Sequence, residues 1–73
     1  MAKLSHFYYD GYEIITTSLG QAAGHTVEVI GADDPRPQPP ILYEATEFET
    51  NQAACEDGRN AVDYFIDTGR WPA

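Results

Sequence analysis

The sequence contains few of the residues that most covalent, metal and membrane sites require. Its 73 residues include one cysteine, two histidines and only four lysines and arginines. A lone cysteine forms no disulfide within the chain, so we expect a reducing compartment, the cytoplasm. No segment approaches the roughly 20 apolar residues that a membrane span needs. Residues 1–5 precede no apolar run, so we expect no signal peptide.

The residues that could bind a metal are too widely separated to form a recognisable motif. His6, His25 and Cys55 lie far apart, whereas zinc ligands usually occur in close pairs. Asp33 and Asp34 are followed at once by a proline and lack the spaced oxygen ligands of a calcium loop. We therefore predict no metal and no cofactor.

No set of residues predicts catalysis. Cys55 could act as a nucleophile with a distant histidine, but Glu56 and Asp57 follow it, and their negative charge opposes a thiolate. Carboxylates could pair for acid–base chemistry, although twelve acids in a short chain approach one another by chance. A domain of this size buries only about 60% of its unfolded surface, which leaves little room for an enclosed active site. We predict that the protein is not an enzyme.

The charge is strongly negative. Twelve acids against four bases give a formal net charge of −8 at pH 7. Such a surface repels nucleic-acid phosphates and anionic membranes, and it attracts basic partners. We therefore expect a protein partner with a basic surface, no direct nucleic-acid binding and no membrane binding. The alternative is that the charge serves solubility only.

The first half of the sequence predicts β-strands. Asp10-Gly11 separates two aromatic and β-branched runs, and this dipeptide favours a type I′ hairpin turn. The pattern predicts strands at 5–9 and 12–18, a third strand at 25–30, and a fourth, edge strand at 41–45.

Four prolines between positions 35 and 40 interrupt the pattern. They exclude helix and remove backbone donors, so residues 32–40 are predicted to form a stiff exposed loop. Pro37 and Pro40 make one P-x-x-P spacing, which can dock in aromatic grooves, but a stiff linker that lowers the entropy of the unfolded chain is the better explanation.

A single helix is predicted at 50–68. Thr50 suits the N-cap, and Gly69 suits the C′ position. One apolar stripe recurs at spacings of three and four, namely Ala54, Gly58, Ala61, Val62, Phe65 and Ile66. Gly58 inside a helix costs about 1 kcal/mol relative to alanine, so we expect a close approach of the helix to the sheet.

These elements predict one α+β domain over residues 1–73, with a sheet at 5–46 and the helix packed on one face. The predicted core residues are Phe7, Tyr9, Ile14, Val27, Val29, Tyr43, Phe48, Val62 and Phe65.

Two groups of side chains are candidates for a partner contact. Glu56, Asp63 and Asp67 can form an acidic stripe on the helix face away from the core. Tyr8 and Tyr12 flank the hairpin turn, and tyrosine is favoured at protein interfaces. Core packing of the tyrosines and ordinary solvation of the acids are the alternatives. We expect a monomer or a weak homodimer, the latter through the 41–45 edge.

The hairpin Phe7-Tyr8-Tyr9-Asp10-Gly11-Tyr12-Glu13-Ile14 and the helix start Phe48-Glu49-Thr50 resemble those of small uncharacterised bacterial β-β-β-α proteins. The resemblance implies a short sheet followed by one terminal helix, and it implies no activity. The proline loop departs from that pattern, and Ala53 lacks the acid of a capping box. In size and charge alone the chain is also similar to phage-encoded anti-CRISPR inhibitors.

Two functions follow as hypotheses. The first is a non-enzymatic protein-interaction domain whose contact is the acidic helix face or the tyrosine-bearing sheet face. The second is a nucleic-acid mimic, or phage-encoded inhibitor of a nucleic-acid-binding machine, because a row of carboxylates can imitate a phosphate backbone.

The excess of carboxylates predicts a salt effect on stability. Near pH 7 the like charges repel one another, and added salt screens that repulsion. We expect the melting temperature, followed by circular dichroism, to rise between low and moderate salt. A falling melting temperature would mean that the carboxylates are largely compensated by cations.

Overall fold

The computed structural model describes residues 3–20 and 24–72. It contains a four-stranded antiparallel sheet in the order β1-β2-β3-β4 and one helix packed against it, which confirms the predicted α+β fold. The elements are β1 (Lys3–Tyr9), β2 (Tyr12–Ser18), β3 (His25–Gly31), β4 (Tyr43–Phe48) and α1 (Asn51–Thr68).

The β1–β2 hairpin closes at the predicted turn. Asp10 and Gly11 both have positive φ, 49° and 87°, and Tyr9 pairs with Tyr12. These angles are those a type I′ turn requires, and glycine adopts them without strain. β1 begins at Lys3 rather than at the predicted residue 5 because pairing with β2 continues to the end of that strand.

The fourth strand lies further along the chain than predicted. It spans Tyr43–Phe48, not 41–45, and it is an edge strand as expected. Its register contains a bulge: Val27 pairs with Ala45 while His25 pairs with Phe48, so β4 holds one extra residue. Glu47 in the bulge has a left-handed φ of 71°. The alternation rule cannot predict such an insertion, which explains the shifted boundary.

The predicted helix caps are confirmed. The Thr50 hydroxyl accepts a hydrogen bond from the Ala53 backbone N–H at 3.1 Å. Gly69 adopts the left-handed conformation with φ 77°, and its N–H donates to the Phe65 carbonyl at 2.7 Å. Both bonds satisfy backbone groups that the helix ends would otherwise leave unpaired.

The core lies between α1 and one face of the sheet. Of the predicted core residues, Ile14, Val27, Val29 and Val62 are fully buried. The others are partly buried, and they are Phe7, Tyr9, Tyr43, Phe48 and Phe65. The core also includes Thr16, only 1% exposed, which its polar side chain did not predict.

The apolar stripe of α1 is narrower than predicted. Ala54, Gly58, Ala61 and Val62 are buried, but Ile66 is 58% exposed. The prediction for Ile66 was wrong, because at about 100° per residue Ile66 lies about 80° around the helix from Gly58, at the margin of the buried stripe.

The helix does not extend over the whole sheet. α1 packs against β2, β3 and β4, while β1 packs laterally against β2. An α-helix is about 10 Å wide, whereas the outer axes of four strands are about 14 Å apart. One edge of the sheet must therefore remain largely uncovered, and in this protein it is the β1 edge.

Gly58 sets the distance between α1 and the sheet. A Cβ atom at this position would lie 2.6 Å from Ile14 Cγ2 and 3.0 Å from Val27 Cγ2. Both contacts are shorter than packed carbon atoms allow. The close approach expected from a glycine in mid-helix is confirmed.

Gly58→Ala should therefore destabilise the fold, although alanine is the better helix former. Overpacking costs about 1–3 kcal/mol, and the gain in helix propensity of about 1 kcal/mol offsets only part of it. We expect urea unfolding to show a net loss of up to about 2 kcal/mol. Asn60→Ala, at an exposed position of the same helix, is the matched control and should be neutral or slightly stabilising. Equal or greater stability of Gly58→Ala would contradict the close contact.

Candidate interaction site

Tyr12 and Tyr8, both candidate contacts, lie on opposite faces of the sheet. Tyr12 is on the helix side, where its ring meets Trp71 edge-on at 5.5 Å and Phe65 edge-on at 6.1 Å. Phe65 stacks on Trp71 at 4.4 Å. Tyr12 is thus half-buried in an aromatic cluster that closes one end of the core, and it offers little surface to a partner.

The sequence did not predict a core role for Trp71. The residue follows the left-handed turn at Gly69, which directs the chain away from the helix axis and places the indole ring against Phe65. The only signal in the sequence was a large aromatic soon after the C′ glycine, and it lies one position beyond the residue that makes the usual hydrophobic contact at a helix end.

Tyr8 points away from the helix, on the open face of the sheet, and is 67% exposed. His6 is its neighbour on that face, with the two rings edge-on at 6.3 Å, and His6 Nδ1 lies 2.9 Å from a Glu13 carboxylate oxygen. On the outer strands this face also exposes Leu4 and Glu44. It therefore combines apolar and acidic side chains.

Two carboxylates stand directly opposite each other on the open face. Glu28 on β3 pairs in register with Glu44 on β4. Like charges at such a position destabilise a sheet by a fraction of a kcal/mol, about 0.2–1 kcal/mol. Neither carboxylate forms an ion pair within the described residues. The pair adds to the uncompensated negative charge of the surface.

The acidic stripe on α1 is present. Glu56, Asp63 and Asp67 are all exposed, and their spacings of seven and four residues place them on one side of the helix. The Tyr9 hydroxyl donates a hydrogen bond to Asp63 at 2.8 Å, which links β1 to α1. This bond is the main reason that the pKa of Tyr9 is raised.

A shallow cavity of about 340 Å³ lies between the end of β1 and the helix stripe. Tyr9, Glu56, Arg59, Asn60 and Asp63 line it. The cavity thus brings two of the candidate acids, Glu56 and Asp63, beside the uncovered strand. Asp67 lies one turn beyond Asp63 and is not part of the lining.

A second cavity of about 360 Å³ lies near the opposite end of β1. It is lined by Ser5, Ser18, His25 and Asn51. Ser5 and Thr16 hydroxyls are 2.7 Å apart, and Thr16 in turn donates to the Asn51 side-chain oxygen at 2.7 Å. This chain of hydrogen bonds explains why the buried Thr16 is tolerated in the core.

Among the described residues, neither histidine is hydrogen-bonded to Cys55. Cys55 is partly buried, and its sulfur contacts the Asn51 amide nitrogen at 3.7 Å. His25 Nδ1 is buried without a hydrogen-bond partner among the residues described. Residues 3–20 and 24–72 hold no group of three histidine, cysteine, aspartate or glutamate side chains placed to bind a metal.

Within the described part of the chain, no helix is long and apolar enough to cross a membrane. No protein-family model, curated protein or solved structure matches this sequence or fold. The resemblance to small bacterial β-β-β-α proteins accordingly stays a prediction.

Tyr43 and Asp57 form a contact that the sequence did not predict. The Tyr43 hydroxyl donates to an Asp57 carboxylate oxygen at 2.6 Å. Burial, followed by this hydrogen bond and the charge of Asp57, raises the pKa of Tyr43 to about 12. The bond ties β4 to α1, on the side of the helix opposite the Tyr9–Asp63 bond.

The raised pKa of Tyr43 predicts a loss of stability in alkali. The folded state holds the phenol proton more tightly than the unfolded chain, whose tyrosine titrates near 10.0. This contribution is complete below pH 10 and is lost as the pH rises towards 12. Tyr43→Phe should therefore flatten the decline of the unfolding free energy over that interval, and Tyr64→Phe, at an exposed position, should not. Equal pH profiles for wild type and Tyr43→Phe would contradict the assignment.

Proposed function

We propose that this chain is a non-enzymatic protein-interaction domain that binds a basic partner protein through the acidic stripe of α1. The observation that carries the proposal is the exposure of Glu56, Asp63 and Asp67 along one side of the helix. None of them forms an ion pair among the described residues. Exposed carboxylates without intramolecular cations are available to the cations of a partner.

The charge of the whole chain supports the proposal. The described residues form one ion pair between charged side chains, Arg36–Asp34, and one contact between His6 and Glu13, so most of the twelve acids are uncompensated. A net charge of −8 attracts a basic protein over a distance of about one Debye length, roughly 8–10 Å at physiological salt. This attraction chiefly raises the association rate and selects the sign of the partner's charge.

The lone Cys55 supports placement of the protein in a reducing compartment, the cytoplasm, as part of the proposal.

The second function, a nucleic-acid mimic, rests on the same acidic stripe of α1. From Glu56 to Asp67 the carboxylates extend about 16 Å along the helix at 1.5 Å per residue, in a row comparable to phosphates along a strand. A mimic would compete with nucleic acid for its target, and an ordinary interaction domain would not.

Charge reversal tests the proposal. The variant Glu56→Lys/Asp63→Lys/Asp67→Lys is compared with Asp33→Lys/Glu44→Lys/Glu47→Lys, which reverses three exposed acids elsewhere and makes the same change in net charge. Proteins captured from a lysate of the source organism are identified, purified and measured by titration calorimetry at low and moderate salt. We expect the helix variant to lose at least tenfold in affinity, and the control to keep most of its affinity at moderate salt.

Equal binding of the partner by wild type and the helix variant would overturn the helix-face assignment. If the purified partner is basic and releases bound DNA or RNA when the protein is added, the mimic is favoured over the ordinary interaction domain. Circular dichroism of both variants checks that the fold is retained.

A further inference from the structure

We propose that β1 is the docking edge for an extended basic segment of the partner, which adds to the sheet as a fifth strand next to β1. The inference rests on the proposed function and names how the partner binds. Four observations carry it: the outward-pointing backbone groups of β1, its unbroken pairing with β2, the acidic cavity beside Tyr9 and the exposed apolar side chains on the open face.

The backbone groups of β1 that point outward follow from the hairpin register. A two-residue turn makes Tyr9 and Tyr12 the hydrogen-bonded closing pair. Because hydrogen-bonded and non-hydrogen-bonded pairs alternate in an antiparallel ladder, Leu4, His6 and Tyr8 direct their N–H and C=O groups away from β2. A partner strand could pair with these three residues without breaking any bond of the sheet.

The two edges of the sheet differ in how strongly they oppose the addition of a further strand. β4 carries a bulge, the left-handed Glu47 and the exposed carboxylate of Glu44, all of which oppose strand addition. β1 pairs with β2 in an unbroken register from Lys3 to Tyr9 and contains no proline. An edge of this kind accepts a further strand.

The side of β1 facing α1 is acidic at its Tyr9 end, where Glu56 and Asp63 line a cavity beside the strand. Because the helix packs on β2, β3 and β4, the two cavities lie near opposite ends of the uncovered strand, one at Tyr9 and one at Ser5. A strand added about 4.8 Å outside β1 would direct every second side chain towards α1. Glu56 and Asp63 outnumber Arg59, the one cation in the lining at Tyr9. Lysine or arginine side chains therefore fit that side.

The opposite face of an added strand would meet apolar surface. Leu4 and Tyr8 are 64% and 67% exposed on the open face of β1. The segment that fits alternates basic side chains, towards α1, with apolar side chains, towards the open face. A second copy of this chain is disfavoured as the occupant because each copy carries a formal charge of −8.

The probe for this test is a capped, fluorescein-labelled octapeptide that alternates lysine and valine. Binding is followed by fluorescence anisotropy at physiological salt, and an otherwise identical peptide with glutamate in place of lysine is the charge control. Amide hydrogen exchange by NMR supplies the readout specific to strand addition. We expect saturable binding of the lysine peptide, and slower exchange at Leu4, His6 and Tyr8 but not along β4.

Two pairs of variants separate the backbone contribution from the charge contribution. His6→Pro removes one outward N–H and should weaken binding about fivefold, the value of one backbone hydrogen bond, relative to His6→Ala, which keeps that N–H. Glu56→Gln/Asp63→Asn should weaken binding about three- to tenfold. Asp33→Asn/Glu47→Gln, with the same change in net charge, should leave it nearly unchanged.

The outcomes distinguish failure of strand addition from failure of the proposed function. If binding depends on Glu56 and Asp63 while His6→Pro matches His6→Ala and the β1 amides gain no protection, strand addition is wrong and the acidic helix contact stands. If neither pair of variants changes binding, both strand addition and the acidic helix contact fail for this probe. Absence of saturable binding up to about 1 mM peptide overturns strand addition, and the calorimetric test with the natural partner then decides the proposed function alone.

Discussion

Because Gly58 has no side chain, the backbone of α1 lies directly on Ile14 and Val27 in the middle of the sheet. This contact places Ala54, Ala61 and Val62 over the same strands and completes a core of modest size. At both ends the helix is held by further contacts, the Thr50 cap at its start and the Trp71–Phe65 stack near its end. Since the helix centre is fixed on β2 and β3, the region over β1 is left uncovered. The packing of the helix on the core thus decides which part of the sheet the helix leaves uncovered.

Hydrogen bonds from two tyrosines hold the helix on either side. Tyr9 on β1 donates to Asp63, and Tyr43 on β4 donates to Asp57. Each bond joins an edge strand of the sheet to an acid of α1. Part of the negative charge of the helix therefore stabilises the fold. The remaining acids of α1 are Glu56 and Asp67, and neither bonds to a strand among the described residues; Glu56 accepts a hydrogen bond only from Gln52 on the same helix, at 3.4 Å. This division separates carboxylates that position the helix from carboxylates that are available to a partner, and Asp63 belongs to both groups.

The uncovered β1 edge and the acidic stripe lie next to each other, and this proximity gives the proposed interaction its specificity. Charge alone attracts any basic protein, and a free strand edge alone pairs with many extended chains. A segment that satisfies both must alternate basic and apolar residues and must be extended. The bulge and the carboxylates of β4 make the second edge unsuitable for the same contact. The sheet therefore presents one docking edge rather than two.

The sequence by itself determined the elements whose signals are local. The Asp10-Gly11 turn, the Thr50 and Gly69 caps and the buried face around Gly58 follow from backbone preferences and periodicity, and all are confirmed. Only the tertiary structure decided the bulge that shifts β4, the exposure of Ile66 and the burial of Tyr12 under Trp71, because each depends on contacts between elements that are distant in sequence or on the exact placement of the helix. The neighbouring positions of β1 and Glu56 were likewise beyond the sequence. Local patterns specify which residues share a face, whereas the placement of the helix over β2, β3 and β4 decides that β1 remains uncovered.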